Sequence, residues 1–354
     1  MIRQICWVWF QLLLTIPLAL FPSAQVLAKP TPYPERIVAV GDLHGDHDAW
    51  IAIARAAGLI NRKGRWAGGK TVLVQTGDIV DRAPDSSLII RDLMRLERQA
   101  SRAGGRVVVL VGNHEAMMVT GDVRYVHAGE YDAFADMDSP RQRDNAYAAN
   151  RIAIETFFRS RDASLSPSAI RELWLKQTPL GKIEHQAAWQ PQGELGRWII
   201  AKPAVARLGD SLFVHGGLSA SYAVLPVDEI NRRVAAALTA GDDSPASIIN
   251  DPLGPLWYRG LAGMTAEAGP PATNGAPLPD VQQQLDYLLA ATGAKRIVIG
   301  HTPLLSGVAV THGGRLVRVD SGNSRAYGGI PGFVEITGDR VTARHVARPK
   351  ERAK

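Results

Sequence analysis

Sulfur chemistry is nearly absent from this chain. Its single cysteine, Cys6, lies in an apolar leader, so a mature form starting after residue 28 has no disulfide, no thiolate ligand and no cysteine nucleophile. No Lys/Arg block is interleaved with aromatics, and aromatics make up only 6% of the chain, which excludes a nucleic-acid footprint. Long hydrophobic runs are missing as well. The longest, Ile5–Phe21, is broken by Pro17 and falls short of the ~20 residues a spanning helix needs. No internal repeat is visible.

What is present begins with that leader. Arg3, the apolar run, Pro22-Ser23, and Val26 and Ala28 at positions −3 and −1 predict a signal peptide over 1–28, cleaved after Ala28. The expectation is an exported protein, periplasmic or secreted, with no stable membrane anchor after cleavage; a retained anchor is the alternative. Cleavage removes only the charge of Arg3 and lowers the net charge from +6 to +5, a mild basicity that suits an anionic substrate. The length of 354 residues accommodates one large domain or two ordinary ones. One domain is expected over 29–346, followed by a basic tail over 347–354.

Taken in order, 36–41 (RIVAVG), 71–76 (TVLVQT) and 106–111 (RVVVLV) read as buried strands. Helices are predicted at Asp48–Leu59 and Asp85–Ala103 between them, a β-α-β-α-β pattern with parallel strands. From Gly121 to about Leu195 the pattern turns helical and polar, with helices at Asp144–Arg161 and Pro167–Gln177, and reads as a cap-like insertion. Strands resume at Ser211–Val214 and Arg296–Ile299. They flank helices at Asp228–Thr239 and around Val281–Leu289, and a long loop over 241–278. Residues 307–345 alternate as a β-meander would.

Five of these apolar strands end in a glycine beside polar residues: GDLHG, GDIVDR, GNHE, HGG and GHT. Ligands of open α/β sheets bind beyond the carboxyl ends of strands, and glycine leaves an ion or ligand room to approach. The residues delivered are Asp42, His44, Asp78, Asn113, His215 and His301. Oxygen and nitrogen donors without sulfur suit manganese, iron or zinc. Six ligands with one shared carboxylate suffice for two divalent ions about 3.5 Å apart. Helix caps and turns would explain any one of these residues, but not histidine after strand and glycine twice beside NHE.

Together with GNHEAMMVTGDVRYV, the WQP…LGRW stretch before HGGLS, and GHTP followed by GGRLVRVDSG, these strings resemble the calcineurin-like metallophosphoesterases. Within them they are similar to the phosphoprotein phosphatase superfamily and its Shewanella-like members, over essentially all of 36–340. The resemblance implies an α/β sandwich of two mixed β-sheets flanked by helices. It implies that Asp42 and His44 hold one metal, that Asp78 bridges both, and that Asn113, His215 and His301 complete the second. Manganese is the first expectation, with iron or zinc as alternatives. It further implies direct attack on phosphorus by a metal-bridging hydroxide, with His114 as general acid oriented by Asp81. Arg82 and Arg259 would clamp phosphate oxygens, with Asn113 also touching phosphate. Arg82 lies within the GDIVDR motif, whereas Arg259 is matched only through WYRG. One departure stands out: Ala83-Pro84 replaces the glycine that usually follows GDxVDR, which stiffens the loop without losing a ligand.

The expected function is therefore hydrolysis of phosphomonoesters, on a phosphoprotein (Tyr or Ser/Thr) or a small phosphomonoester. A cysteine-dependent phosphatase is excluded by the missing thiol. The alternatives are a dinucleoside polyphosphate hydrolase of the same fold and an inactive phospholigand-binding module. Two decoys are set aside. GRWAGGKT over 64–71 matches a P-loop pattern but leads into a strand instead of following one. His312-Gly313-Gly314 repeats HGG within a hairpin turn. His47, His127, His185 and His345 read as surface histidines, with His127 able to line the cleft. Trp174, Trp189 and Trp198 read as core or cap packing.

Overall fold

Ten strands build the protein's frame in a computed structural model that describes residues 34–263 and 280–350. The predicted leader, the loop tail over 269–279 and the last four residues of the basic tail lie outside the described residues. The strands are β1 Ile37–Val40, β2 Val72–Gln75, β3 Arg106–Val109, β4 Val205–Leu208, β5 Ser211–Val214, β6 Arg296–Ile299, β7 Ala309–Thr311, β8 Leu316–Arg318, β9 Gly332–Thr337 and β10 Arg340–His345. They form two mixed five-stranded sheets, in the orders β10-β9-β1-β2-β3 and β4-β5-β6-β8-β7. The first holds β1, β2 and β3 parallel, the second β5, β6 and β8. The other strands are antiparallel. The α/β sandwich flanked by helices is borne out.

The side-chain period of two explains why a central strand such as β1, covered on both faces, is apolar throughout. In β1, Ile37 and Ala39 face the second sheet, packing with Val72, Val74, Phe213, Val298, Val317, Val334 and Ile336. Val38 and Val40 face the other way, into a layer shared with helices. Those helices are α1 His47–Ala56, α2 Ser86–Arg102, α3 Asn113–Thr120, α4 Ala128–Asp132, α5 Ser139–Arg159, α6 Pro167–Gln177, α7 Lys182–Trp189, α8 Glu194–Ile200, α9 Ala220–Ala223, α10 Val227–Ala240 and α11 Val281–Thr292. Trp50 and Ile53 of α1 and Ile89, Leu93 and Leu96 of α2 are fully buried, as their spacing predicts. Helices α4 to α8 fill the segment between β3 and β4, with α7 packed on α3. Among the described residues, no helix is long and apolar enough to cross a membrane.

Three sequence readings are corrected. Residues 307–345 are not one meander: β7 and β8 pair in the second sheet, β9 and β10 in the first. Strand β4, with its alternating Ala206-Arg207 edge, was not predicted. Nor was α3. All its residues except Thr120 are buried, so it has no polar face to produce a helical period.

Candidate active site

The carboxyl ends of β1, β2, β3, β5, β6 and β8 all lead into the same buried polar cluster, drawn from both sheets. Five non-glycine residues at these ends take left-handed backbone conformations: His44, Asp78, Asp81, Arg82 and His301, with φ of 41°, 54°, 72°, 70° and 65°. Each such residue costs about 1–3 kcal/mol and persists only where its surroundings over-determine it. Glycine serves close approach here. A Cβ on Gly112 would meet Asp78 Oδ1 at 2.3 Å, and one on Gly300 would meet Asp42 Oδ1 at 2.5 Å. The space is filled by the site's own carboxylates.

Asp78 stands at the centre. Its Oδ2 lies 3.6 Å from His44 Nε2 and 3.9 Å from His114 Nε2, and its Oδ1 lies 3.3 Å from His215 Nε2. Donor atoms of His44, Asp78 and His114 fall within 4.8 Å of one another, as do those of Asp78, His215 and His301. Asn113 Oδ1 approaches His215 Nε2 at 2.9 Å. Asp42 joins from β1, with its carboxylate 3.9 Å from His44 Nε2 and accepting from the His301 N–H at 3.1 Å. The cluster therefore brings together all six predicted ligands and His114.

Distance to Asp78 does not distinguish His114 from the other histidines; its ring partners do. His44 Nδ1 donates to the Val80 carbonyl at 2.9 Å and His215 Nδ1 to the Thr76 carbonyl at 2.8 Å, which aims each Nε2 lone pair inward. His114 Nδ1 instead donates to the Asp81 carboxylate. Burial opposes protonation of His114, but Asp78, Asp81 and Glu115 outweigh it and raise its pKa above the usual histidine value. Burial drives His44 down to about 3.

The donor set fits divalent cations. His301 Nε2 is buried and makes no hydrogen bond, and burial, then His215 and Arg259, keep this ring neutral. Lone pairs from Asp78 and Asn113 converge on His215. Burial, then Asp320 and Asp78, raise the Asp42 carboxyl well above its ordinary range. Burial likewise pushes Asp320 up to about 6. Burial also opposes ionisation of Asp78, yet the imidazoles of His215, His114 and His44 hold it well below its usual value. Crowded buried carboxylates beside the bare His301 nitrogen are what cations would neutralise.

Glu115 is no ligand. Its carboxylate accepts from the backbone N–H groups of Gly112, Asp78 and Ile79 at 2.8, 2.9 and 2.7 Å, and so ties the tips of β2 and β3 together. Arg259 Nη1 donates to the His301 carbonyl at 3.2 Å and to Thr302 Oγ1 at 3.0 Å. The Arg82 guanidinium stacks 4.0 Å over the Tyr125 ring and 5.9 Å from Tyr327, while its buried Nε makes no hydrogen bond. At the Ala83-Pro84 departure the backbone passes close to Gly45, where a Cβ would strike the Ala83 carbonyl oxygen at 2.1 Å.

Sequence reading missed Asp320, Tyr125, Tyr327 and Glu130. Asp320 sits past the tip of β8, a sixth strand end hidden inside the supposed meander. His185 is a correction: it is fully buried, not at the surface, because α7 turns it inward against the edges of Tyr131 and Phe134. His127 and His345 are exposed, whereas His47 is half-buried against Asp92. Trp189 is in the core.

The sequence pattern described as calcineurin-like phosphoesterase matches residues 35–327. Shewanella-like protein phosphatase 2 of Arabidopsis thaliana is 30% identical over 346 residues, covering 90% of this chain and 80% of that protein. A cold-active protein tyrosine phosphatase solved at 1.1 Å superposes with a TM-score of 0.62 at 25% identity, covering 88% of this chain and 78% of that one. The cold-active protein tyrosine phosphatase of a psychrophilic Shewanella species gives 0.61 at 24%, covering 88% and 80%.

Proposed function

The chain belongs to the calcineurin-like phosphoesterase family of metal-dependent phosphoester hydrolases, and we propose that it is an exported phosphatase acting on phosphomonoesters, phosphoproteins first among them. The observation that carries this reading is Asp78, a single buried carboxylate shared by two triads of donors, with arginines beside the cluster. Asp42 and His44 would hold one divalent ion and Asn113, His215 and His301 the other, with Asp78 common to both. When bound, such a pair supplies Lewis acidity at phosphoryl oxygens and acidifies the water that attacks phosphorus.

The chain's own groups do the rest. Arg82 and Arg259 orient the phosphoryl oxygens, Arg82 with its face against Tyr125. Asp81 takes the Nδ1–H of His114, which leaves the Nε2 proton for the departing oxygen. The basic mature chain and the names of its relatives support an anionic phosphoprotein substrate.

The test is a panel of phosphotyrosyl and phosphoseryl peptides and dinucleoside polyphosphates, assayed with the metal-supplemented protein from the exported fraction, whose N-terminus is expected at Lys29. Higher kcat/KM on phosphopeptides is the expected result. Preference for dinucleotides, or an N-terminus at Met1, contradicts the substrate or the export proposal respectively.

A further inference from the structure

We propose that Glu130, on α4 of the helical insertion, is a positioning residue for the His114–Asp81 pair; the inference rests on the acid role given to His114 above. Glu130 is 3% exposed. Its Oε1 accepts from the Asp81 backbone N–H at 3.0 Å and from the Ser86 hydroxyl at 2.6 Å. These bonds span 49 and 44 residues of sequence, so they join the insertion to the loop after β2 and to the start of α2.

Asp81 needs external support. It and Arg82 are consecutive left-handed non-glycine residues, and Asp81 Oδ1 makes no hydrogen bond, so only Oδ2, bound to His114, fixes its side chain. The direction of the carboxylate therefore depends on the backbone. Three contacts hold that backbone from the insertion. Glu130 accepts the Asp81 N–H, and the Tyr125 carbonyl accepts the Arg82 N–H at 3.1 Å. Gly129 also lies so close to Pro84 that a Cβ on it would approach Pro84 Cβ to 2.9 Å. Beyond Glu130, its Oε2 faces His185 Nε2 at 3.8 Å, and the Tyr131 and Phe134 rings wall that histidine in. The insertion thus builds a buried prop behind the proton donor.

A prop of this kind works by reach. An amide oxygen at the Glu130 Oε1 position accepts the same two hydrogen bonds, whereas a side chain one methylene shorter does not reach both. Loss of the prop misaims the acid without touching the residues proposed to hold metal. A misaimed acid matters most when the leaving group is basic, because a poor leaving group depends more on proton transfer in the transition state.

The experiment compares kcat and KM on phenyl phosphate and p-nitrophenyl phosphate for the metal-loaded protein and three variants. In His114→Asn, kcat should fall at least about tenfold further on phenyl phosphate than on p-nitrophenyl phosphate. Glu130→Asp should show the same skew at about three- to tenfold, with KM within about twofold. Glu130→Gln should keep the wild-type ratio. An unskewed Glu130→Asp beside a skewed His114→Asn overturns the positioning role alone. A Glu130→Gln skewed like His114→Asn also overturns it, and that comparison remains decisive even if the aspartate variant does not fold. An unskewed His114→Asn overturns the acid assignment and this inference with it.

Discussion

Among single residues, Gly112 and Gly300 leave no room for a side chain, because each lets a site carboxylate touch backbone. At Gly112 a methyl group would meet Asp78 Oδ1 at 2.3 Å and the Asp78 backbone nitrogen at 2.5 Å, and the backbone cannot swing aside as a flexible side chain could. Gly112→Ala should therefore destabilise the fold by about 1–3 kcal/mol. Displacing Asp78 should also lower kcat/KM by about a hundredfold. Denaturant melts and steady-state kinetics check both, and wild-type values in the variant would contradict the close approach. At this scale the ligands were legible because Asp42, Asp78, Asn113 and His301 each directly follow a strand and its glycine, and His215 follows the apolar run SLFV with Gly216-Gly217 behind it. Asp320 follows Val319 with Gly322 two residues behind it, in a segment read as a meander, so its strand end was not recognised. Glu130 was illegible for a different reason. Its role exists only through contacts more than forty residues away, and locally it opens an acidic stretch that resembles a solvated face.

At the scale of elements, α1 and α2 are tied by Asp92, whose Oδ2 accepts from His47 Nε2 at 3.1 Å and Trp50 Nε1 at 3.3 Å. Burial opposes ionisation of Asp92, but the bonds from His47 and Arg95 outweigh it and hold its carboxyl below the ordinary value. A depressed folded-state pKa gives stability that is present above the unfolded value, about 3.9, and is lost as pH falls through the folded one. Asp92→Asn should thus cost about 1 kcal/mol near neutrality, with the gap to wild type closing below about pH 4. Thermal melts across that range check it, and a gap that widens in acid would contradict the assignment. Helix α2 was legible from its apolar spacing, and α1 from the aspartate at its start and Gly58 near its end. Helix α3 was not, since burial on nearly every side removes the periodic contrast on which such reading depends. Its concealment matters, because Asn113 and His114 occupy its first turn and the His114 N–H donates to Asp78 Oδ1 at 3.0 Å.

At the scale of the whole molecule, the site exists because two sheets present their strand ends to one place. Asp42, Asp78 and Asn113 come from the first sheet, and His215, His301 and Asp320 from the second. Each strand was readable alone, but their distribution between sheets was not. β9 pairs with β1 across nearly the whole chain, Ile37 opposite Ile336, and no local signal encodes a partner that distant. The resemblance to a known family supplied the two-sheet plan where periodicity could not. The proposed chemistry stands or falls on Asp78 being shared between two cation sites. Elemental analysis of the purified protein beside Asp78→Asn measures that sharing directly. Two divalent ions per wild-type chain and at most one in the variant are expected. A variant that keeps both ions, or a wild-type chain that binds only one, would contradict it.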